Sequence, residues 1–184
     1  MWKVNTSSLG KLEEFRRFLP GEIEVLEQDL PEPLADPLTI VRYKASQFDN
    51  VLVDDTSLNV EDEEIGAEIK WLMERLPSLI GKRAEFVCLL GLRRGDRVHI
   101  FEGRVKGRIA SKAGEGFGFN SYFVPDGSTR TYAQEKPDEK NARYLAVQKL
   151  LKHEPSWIME PLVEWKGRFQ QELQSPLKDN SSKA

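Results

Sequence analysis

The feature that most limits what this chain can fold into is the repeated switch, in its N-terminal third, between strand-period and helix-period stretches. Trp2, Lys3 and Val4 read as a short strand running into Asn5. A helix follows on Leu9, Leu12, Phe15, Phe18 and Leu19 until Pro20 and Gly21 stop it. Residues 22–26 alternate as a strand does, Pro31 and Pro33 mark a loop, and the spacing predicts a helix over 38–48. Val51, Leu52 and Val53 form a short buried strand ending at Asp54, Asp55 and Thr56. Ile65, Ile69, Leu72, Met73 and Leu76 predict a helix over 61–76, and strands over 84–92 and 98–109 flank the polar turn of Arg93, Arg94, Gly95 and Asp96. A glycine-rich stretch over 114–118 precedes a short apolar run at Tyr122, Phe123 and Val124. Helices are expected over 140–151 and about 155–173, Pro161 confining the regular part of the second to the residues after it. Residues 174–184 lack periodicity and are expected to be disordered. No repeat or linker divides the chain, so 1–173 reads as a single domain of the α/β class.

Composition narrows the chemistry. The 184 residues are 39% hydrophobic and 31% charged with a net charge of −3, which gives no basic coat for a nucleic-acid polymer or an anionic membrane. The single cysteine, Cys88, excludes an intrachain disulfide, and with only His99 and His153 beside it a Cys/His zinc site has too few ligands. A metal would therefore be a hard cation held by carboxylates. No apolar run reaches transmembrane length and the polar start is no signal peptide, so a cytoplasmic protein is expected.

Three stretches could carry function. Thr6, Ser7 and Ser8, followed by Gly10 and Lys11, lie between a strand and a helix, where free backbone N–H groups and the helix dipole attract an anion and Lys11 can reach a phosphate. The same residues also suit a plain serine N-cap, with Glu13 and Glu14 answering the dipole. Asp54 and Asp55 put two carboxylates at a strand end, the edge where α/β sheets bind ligands; they repel each other unless a lysine or a cation such as Mg²⁺ stands between them, though an Asp-rich turn reads similarly. Phe117, Phe119 and Asn120 in the glycine-rich stretch offer aromatic faces for a base, or two core phenylalanines at a strand entry.

Taken in order, these motifs resemble the inosine triphosphate pyrophosphatase family. Thr6 to Glu14 resembles its Thr-Gly-Asn-x-x-Lys-x-x-Glu opening, and Asp29, Leu30, Pro31 and Glu32 its next loop. Asp36 precedes the helical Lys44 by eight positions, as an acidic residue does in the family, and Asp54, Asp55 and Thr56 stand for its Glu-Asp-Thr. The 101–109 stretch resembles its Phe-x-Gly-Arg hairpin, Phe117 to Asn120 its Phe-Gly-Trp/Tyr-Asp, and Glu139 to Ala142 its Glu-Lys-Asn-Ala. The resemblance covers about residues 1–151.

It implies a long mixed central sheet with flanking helices, two lobes around a substrate cleft, a homodimer, and Mg²⁺-dependent hydrolysis of a nucleoside triphosphate to the monophosphate and pyrophosphate, Mn²⁺ being an alternative metal. By position, Lys11, Lys44 and Asp55 would be catalytic, and Asp36, Asp54 and Asp55 would hold the metal. Thr6, Ser7, Ser8 and Thr56 would bind the phosphates, with Phe117, Phe119, Asn120, Lys140 and Arg143 at the base. The chain also departs from the pattern. Ala142 runs directly into Arg143 where the family has Ser-His-Arg, Asn120 replaces an Asp, Asp36 is shorter than the usual Glu, and Ser7 and Ser8 replace Gly and Asn. The usual Gly-Gly-x-Pro-Gly loop is replaced by residues 59–63. The phosphate residues persist while the base-reading residues change. Two alternatives stand beside a purine-specific enzyme: the same chemistry on another modified or standard deoxynucleotide, or a nucleotide-binding module without turnover.

Overall fold

The computed structural model describes residues 1–63 and 69–172, with the side chains of 69–71 outside that description. A seven-stranded sheet carries the fold. β1 (Trp2–Asn5) lies between β2 (Ile23–Leu26) and β3 (Leu52–Val60), parallel to both. β4 (Arg83–Arg94), β5 (Arg97–Ile109) and β6 (Phe123–Pro125) continue it antiparallel. β7 (Trp157–Met159) pairs with the other end of β5 at Val98 to Ile100.

Helices α1 (Leu9–Phe18) and α2 (Pro37–Ser46) make the two parallel crossovers, one to each side of β1. The strand order β2-β1-β3 therefore reverses direction at β1, and its carboxyl end is the crevice where open α/β sheets take ligands. α3 (Ile69–Arg75) leads into β4, and α4 (Ala142–Leu151) crosses β5 so closely that a Cβ on Gly103 would lie 1.9 Å from the Ala142 carbonyl oxygen, a spacing only glycine permits. The larger core contains Phe15, Phe18, Leu52, Leu58, Ala146 and Val147; the smaller, on the opposite face, packs Val41 and Ala45 against Val53, Val98 and Ile100.

Three expectations change. β3 does not end at Asp54 but runs on to Val60, because β4 pairs with it along its whole length after β1 has stopped. The helix expected from Glu61 starts later: Glu61 and Asp62 form a turn with Asp62 at φ 64°, and 64–68 lie outside the described residues. The helix expected over about 155–173 is mostly extended. Trp157 to Met159 covers an open edge of β5, and Trp157 and Met159 pack on the smaller core, so tertiary pairing outweighs the helical spacing. Helix resumes only at Gln170–Glu172, and the tail at 174–184 lies outside the described residues. No helix among the described residues is long and apolar enough to cross a membrane.

Candidate active site

Strand alternation sends Asp54 and Asp55 to opposite faces of β3. Asp54, in register with Leu52 and Leu58 of the larger core, faces α1 and α4; Asp55, in register with Val53, faces α2. Because β1 ends at Asn5, both carboxylates lie just beyond it, beside the loop of Thr6, Ser7 and Ser8.

That loop caps α1. The Ser8 hydroxyl accepts the Lys11 N–H at 3.3 Å, and the Thr6 hydroxyl accepts the Ser8 N–H at 3.2 Å. The cap reading thus holds, and the helix N-terminus still opens onto a polar cleft of about 180 Å³ lined by Thr6, Ser7, Ser8, Lys11, Glu32, Lys44 and Asp54. Lys11 Nζ reaches Asp54 Oδ2 at 3.1 Å; Lys44 Nζ donates to the Asp54 carbonyl at 2.8 Å and lies 3.4 Å from Glu32 Oε1. Two lysines from different helices therefore converge where a helix N-terminus already favours an anion.

The paired aspartates titrate apart. Burial works to raise Asp54, but Lys11, Arg143 and Lys44 together outweigh it and hold its carboxyl at about 2. Burial pushes the Asp55 carboxyl up to about 7, Glu32 and Asp54 adding to the rise while Lys44 and Lys11 oppose it. Asp54 is thus a fixed anion. Its stabilisation, on the order of 2 kcal/mol, is complete above about pH 4 and lost as pH falls through about 2. Urea midpoints should accordingly fall less steeply between pH 4 and pH 2 in Asp54→Asn than in the wild type, and equal slopes would contradict the assignment.

Beneath the cleft, Glu14 of α1 anchors a buried ion cluster. Its carboxylate accepts Arg143 Nη1 at 2.7 Å, Lys136 Nζ at 3.2 Å, and the Asn141 side-chain amide. Arg143 also lies 3.4 Å from Asp54, its guanidinium 5.6 Å from the centre of the Phe15 ring, with Nε unpartnered. Lys136 Nζ lies 4.8 Å from the Tyr132 ring centre and 5.5 Å from that of Phe117.

The expected site residues divide. Thr6, Ser7, Ser8, Lys11, Lys44 and Asp54 share the cleft, with Asp55 beside Lys44 and Glu32 and half-buried Thr56 following on β3. Phe117 is half exposed and lies over the first turn of α1, where a Cβ on Gly10 would come within 2.6 Å of its ring. Phe119 is elsewhere, buried edge-on against Phe86 and Phe123 as a core residue, and Asn120 is buried. Arg143 is 2% exposed and committed to Glu14 and Asp54, so its guanidinium does not line a base pocket. Lys140 points toward the turn at Gly127. Asp36 caps α2, both oxygens accepting from Thr39.

Sequence reasoning gave no site role to Glu32, Lys136 or Asn141, and read Glu14 as answering the helix dipole, whereas it lies beyond the first turn and pairs inward with Arg143 and Lys136. Glu14 had a signal, since Lys11, Glu14 and Phe18 fall on one helical row toward the core.

Mg²⁺ can be tested against this donor set. Asp54 and Asp36 are engaged by protein donors and Glu32 lies 3.4 Å from Lys44, whereas no described side chain hydrogen-bonds the Asp55 carboxylate, which Glu32 faces as a second anion. No group of three or more acidic, His or Cys side chains gathers among the described residues. Two carboxylates without a full cage fit Mg²⁺, which takes its remaining ligands from water and substrate phosphates.

Comparison with known proteins agrees with the family resemblance of the sequence. Residues 3–153 match the Ham1 family. A dITP/XTP pyrophosphatase of Pyrobaculum aerophilum is 32% identical over 163 residues, covering 76% of this chain and 86% of that protein. An inosine triphosphate pyrophosphatase of Schizosaccharomyces pombe is 31% identical over 169 residues, covering 79% and 90%. The structure of the Staphylococcus aureus Ham1 protein superposes with a TM-score of 0.63 at 23% identity, covering 83% of this chain and 97% of that one. With its mixed sheet, its cleft at the end of β1 and these relatives, the chain belongs to the Ham1 family.

Proposed function

We propose that this protein hydrolyses a nucleoside triphosphate to the monophosphate and pyrophosphate, acting with Mg²⁺ at the α-phosphorus. The observation that carries the reading is the convergence of the α1 N-terminus, Lys11 and Lys44 on one polar cleft beside the proton-poised Asp55. The pyrophosphatase names of the relatives support it.

The free N–H groups at the start of α1 and the two lysines hold the triphosphate and offset its charge as the bond breaks. Mg²⁺, when bound, would neutralise phosphate oxygens and make the attacking water more acidic. Asp55 and Glu32 would hold that cation, and Asp55 would help orient and deprotonate the water. The water oxygen bonds to the α-phosphorus, the bond from that phosphorus to the bridging oxygen breaks, and pyrophosphate leaves with the electron pair.

The base is a non-standard purine stacked on Phe117, the half-exposed aromatic over the first turn of α1. One observation favours a second reading of specificity: Arg143 is turned inward. A pocket without that edge contact would select its base more loosely. Pyrophosphate release across dITP, XTP, the standard NTPs and dNTPs, and modified pyrimidine nucleotides separates these readings. We expect dITP or XTP to lead. A pyrimidine leading would move the specificity, and nucleotide-induced stabilisation without pyrophosphate would leave a binding module.

A further inference from the structure

After β7 the chain runs extended across α2. Arg42 Nε donates to the Glu160 carbonyl at 2.7 Å, the Leu162 N–H to the Ser46 hydroxyl at 2.7 Å, and the Gln47 amide to the Val163 carbonyl at 3.0 Å. The strap then meets the loop that carries Glu32. The Leu34 N–H donates to the Arg168 carbonyl at 2.8 Å, Phe169 bridges to Pro33, and the Phe169 ring sits edge-on to Tyr43 with centres 5.9 Å apart. Both backbone groups of Glu32 are held there: its carbonyl accepts the Gln170 N–H at 2.9 Å, and its N–H donates to Gln171 Oε1 at 3.2 Å. The strap, residues 160–171, lies outside the stretch that matches the Ham1 family, which ends at 153.

We propose that Phe169, Gln170 and Gln171 are positioning residues for the phosphate site, fixing the Glu32 loop so that the Glu32 carboxylate stays against Lys44 on the cleft wall. The inference rests on the function proposed above. A surface loop held by few bonds samples many conformations, and ordering it only when a ligand arrives weakens binding. The strap supplies that order in advance, so the cleft meets a polyphosphate with Lys44 and Glu32 already in place.

The test compares the full-length wild type with two variants. Gln170→Pro combined with Gln171→Ala removes both bonds to the Glu32 backbone, together with the Gln170 amide's bond to the Pro33 carbonyl at 3.3 Å; proline is tolerated at Gln170, the first residue of the helical turn. Phe169→Ala removes the packing on Tyr43, and Phe169→Leu should restore it. The measurements are tripolyphosphate affinity by calorimetry, with and without Mg²⁺, exchange of the Glu32 and Leu34 amides, and kcat and KM for dITP. We expect the two amides to exchange faster and tripolyphosphate affinity to fall about fivefold, the size of one net hydrogen bond. KM should rise in step with little change in kcat. Should Phe169→Ala fail to fold, the glutamine double variant decides, since it leaves the Phe169 ring on Tyr43. Faster exchange with unchanged affinity and KM, or a loss confined to kcat, overturns the positioning role alone. A wild type that binds no tripolyphosphate removes the function and the proposal together.

Discussion

Asp55→Asn should turn over nucleoside triphosphate at least about a hundredfold more slowly than the wild type, the scale of losing one preorganised electrostatic group, while melting no lower. The two halves of this expectation share a cause. Burial places the Asp55 carboxyl at about 7, so its ionised form is held at a cost that the catalytic role requires and the fold does not. Without metal, the proton on Asp55 is held more tightly in the folded than in the unfolded chain. Its favourable term is complete below about pH 4 and is lost as pH rises through about 7. Wild-type stability without metal should therefore decline across that window, and Asp55→Asn should flatten the decline. Adding Mg²⁺ should release protons near pH 7 in the wild type and not in the variant. Full turnover by Asp55→Asn would remove Asp55 from the mechanism.

The second large effect is on stability. Glu14→Ala leaves Lys136 without its anion and Arg143 with only Asp54, 3.4 Å away, and breaking a buried ion pair costs about 3–5 kcal/mol. In a chain of this length that lowers Tm by roughly 6–20 °C. Arg143→Met made in the Glu14→Ala background should recover part of the loss, because it removes one of two facing buried cations and leaves an apolar side chain against Phe15. A thermal melt of the three proteins decides: equal losses in the single and double variants would mean that the cluster is not coupled.

Much of the α1 N-terminus and its cleft was legible in the sequence because it rests on local rules. A strand followed by small hydroxyl residues and a helix gives a capped N-terminus whatever the rest of the chain does, and Ser8 and Lys11 follow that rule. Asp54 and Asp55 were legible as neighbours, but not as occupants of two faces, because they were read as the end of a short strand over Val51, Leu52 and Val53. Only pairing with β4, set by residues 83–94, extends it. Arg143 was placed by its position in a motif and not by helical phase. With Val147 and Leu150 it falls on the inward side of α4, and reading that periodicity would have put it in the core. The glycine-rich stretch left two readings open for its phenylalanines: Phe119 is a core residue, while Phe117 is half exposed over the first turn of α1. Glu32 and the strap were beyond local reading. Their contact joins segments 139 residues apart, and nothing in either segment announces the other.

The most direct test of the central claim is hydrolysis of dITP in ¹⁸O-labelled water, with products resolved by mass spectrometry. The account predicts pyrophosphate without label and a monophosphate carrying one ¹⁸O, since water attacks the α-phosphorus and pyrophosphate departs. Label in the pyrophosphate, or release of orthophosphate and a nucleoside diphosphate, would contradict it.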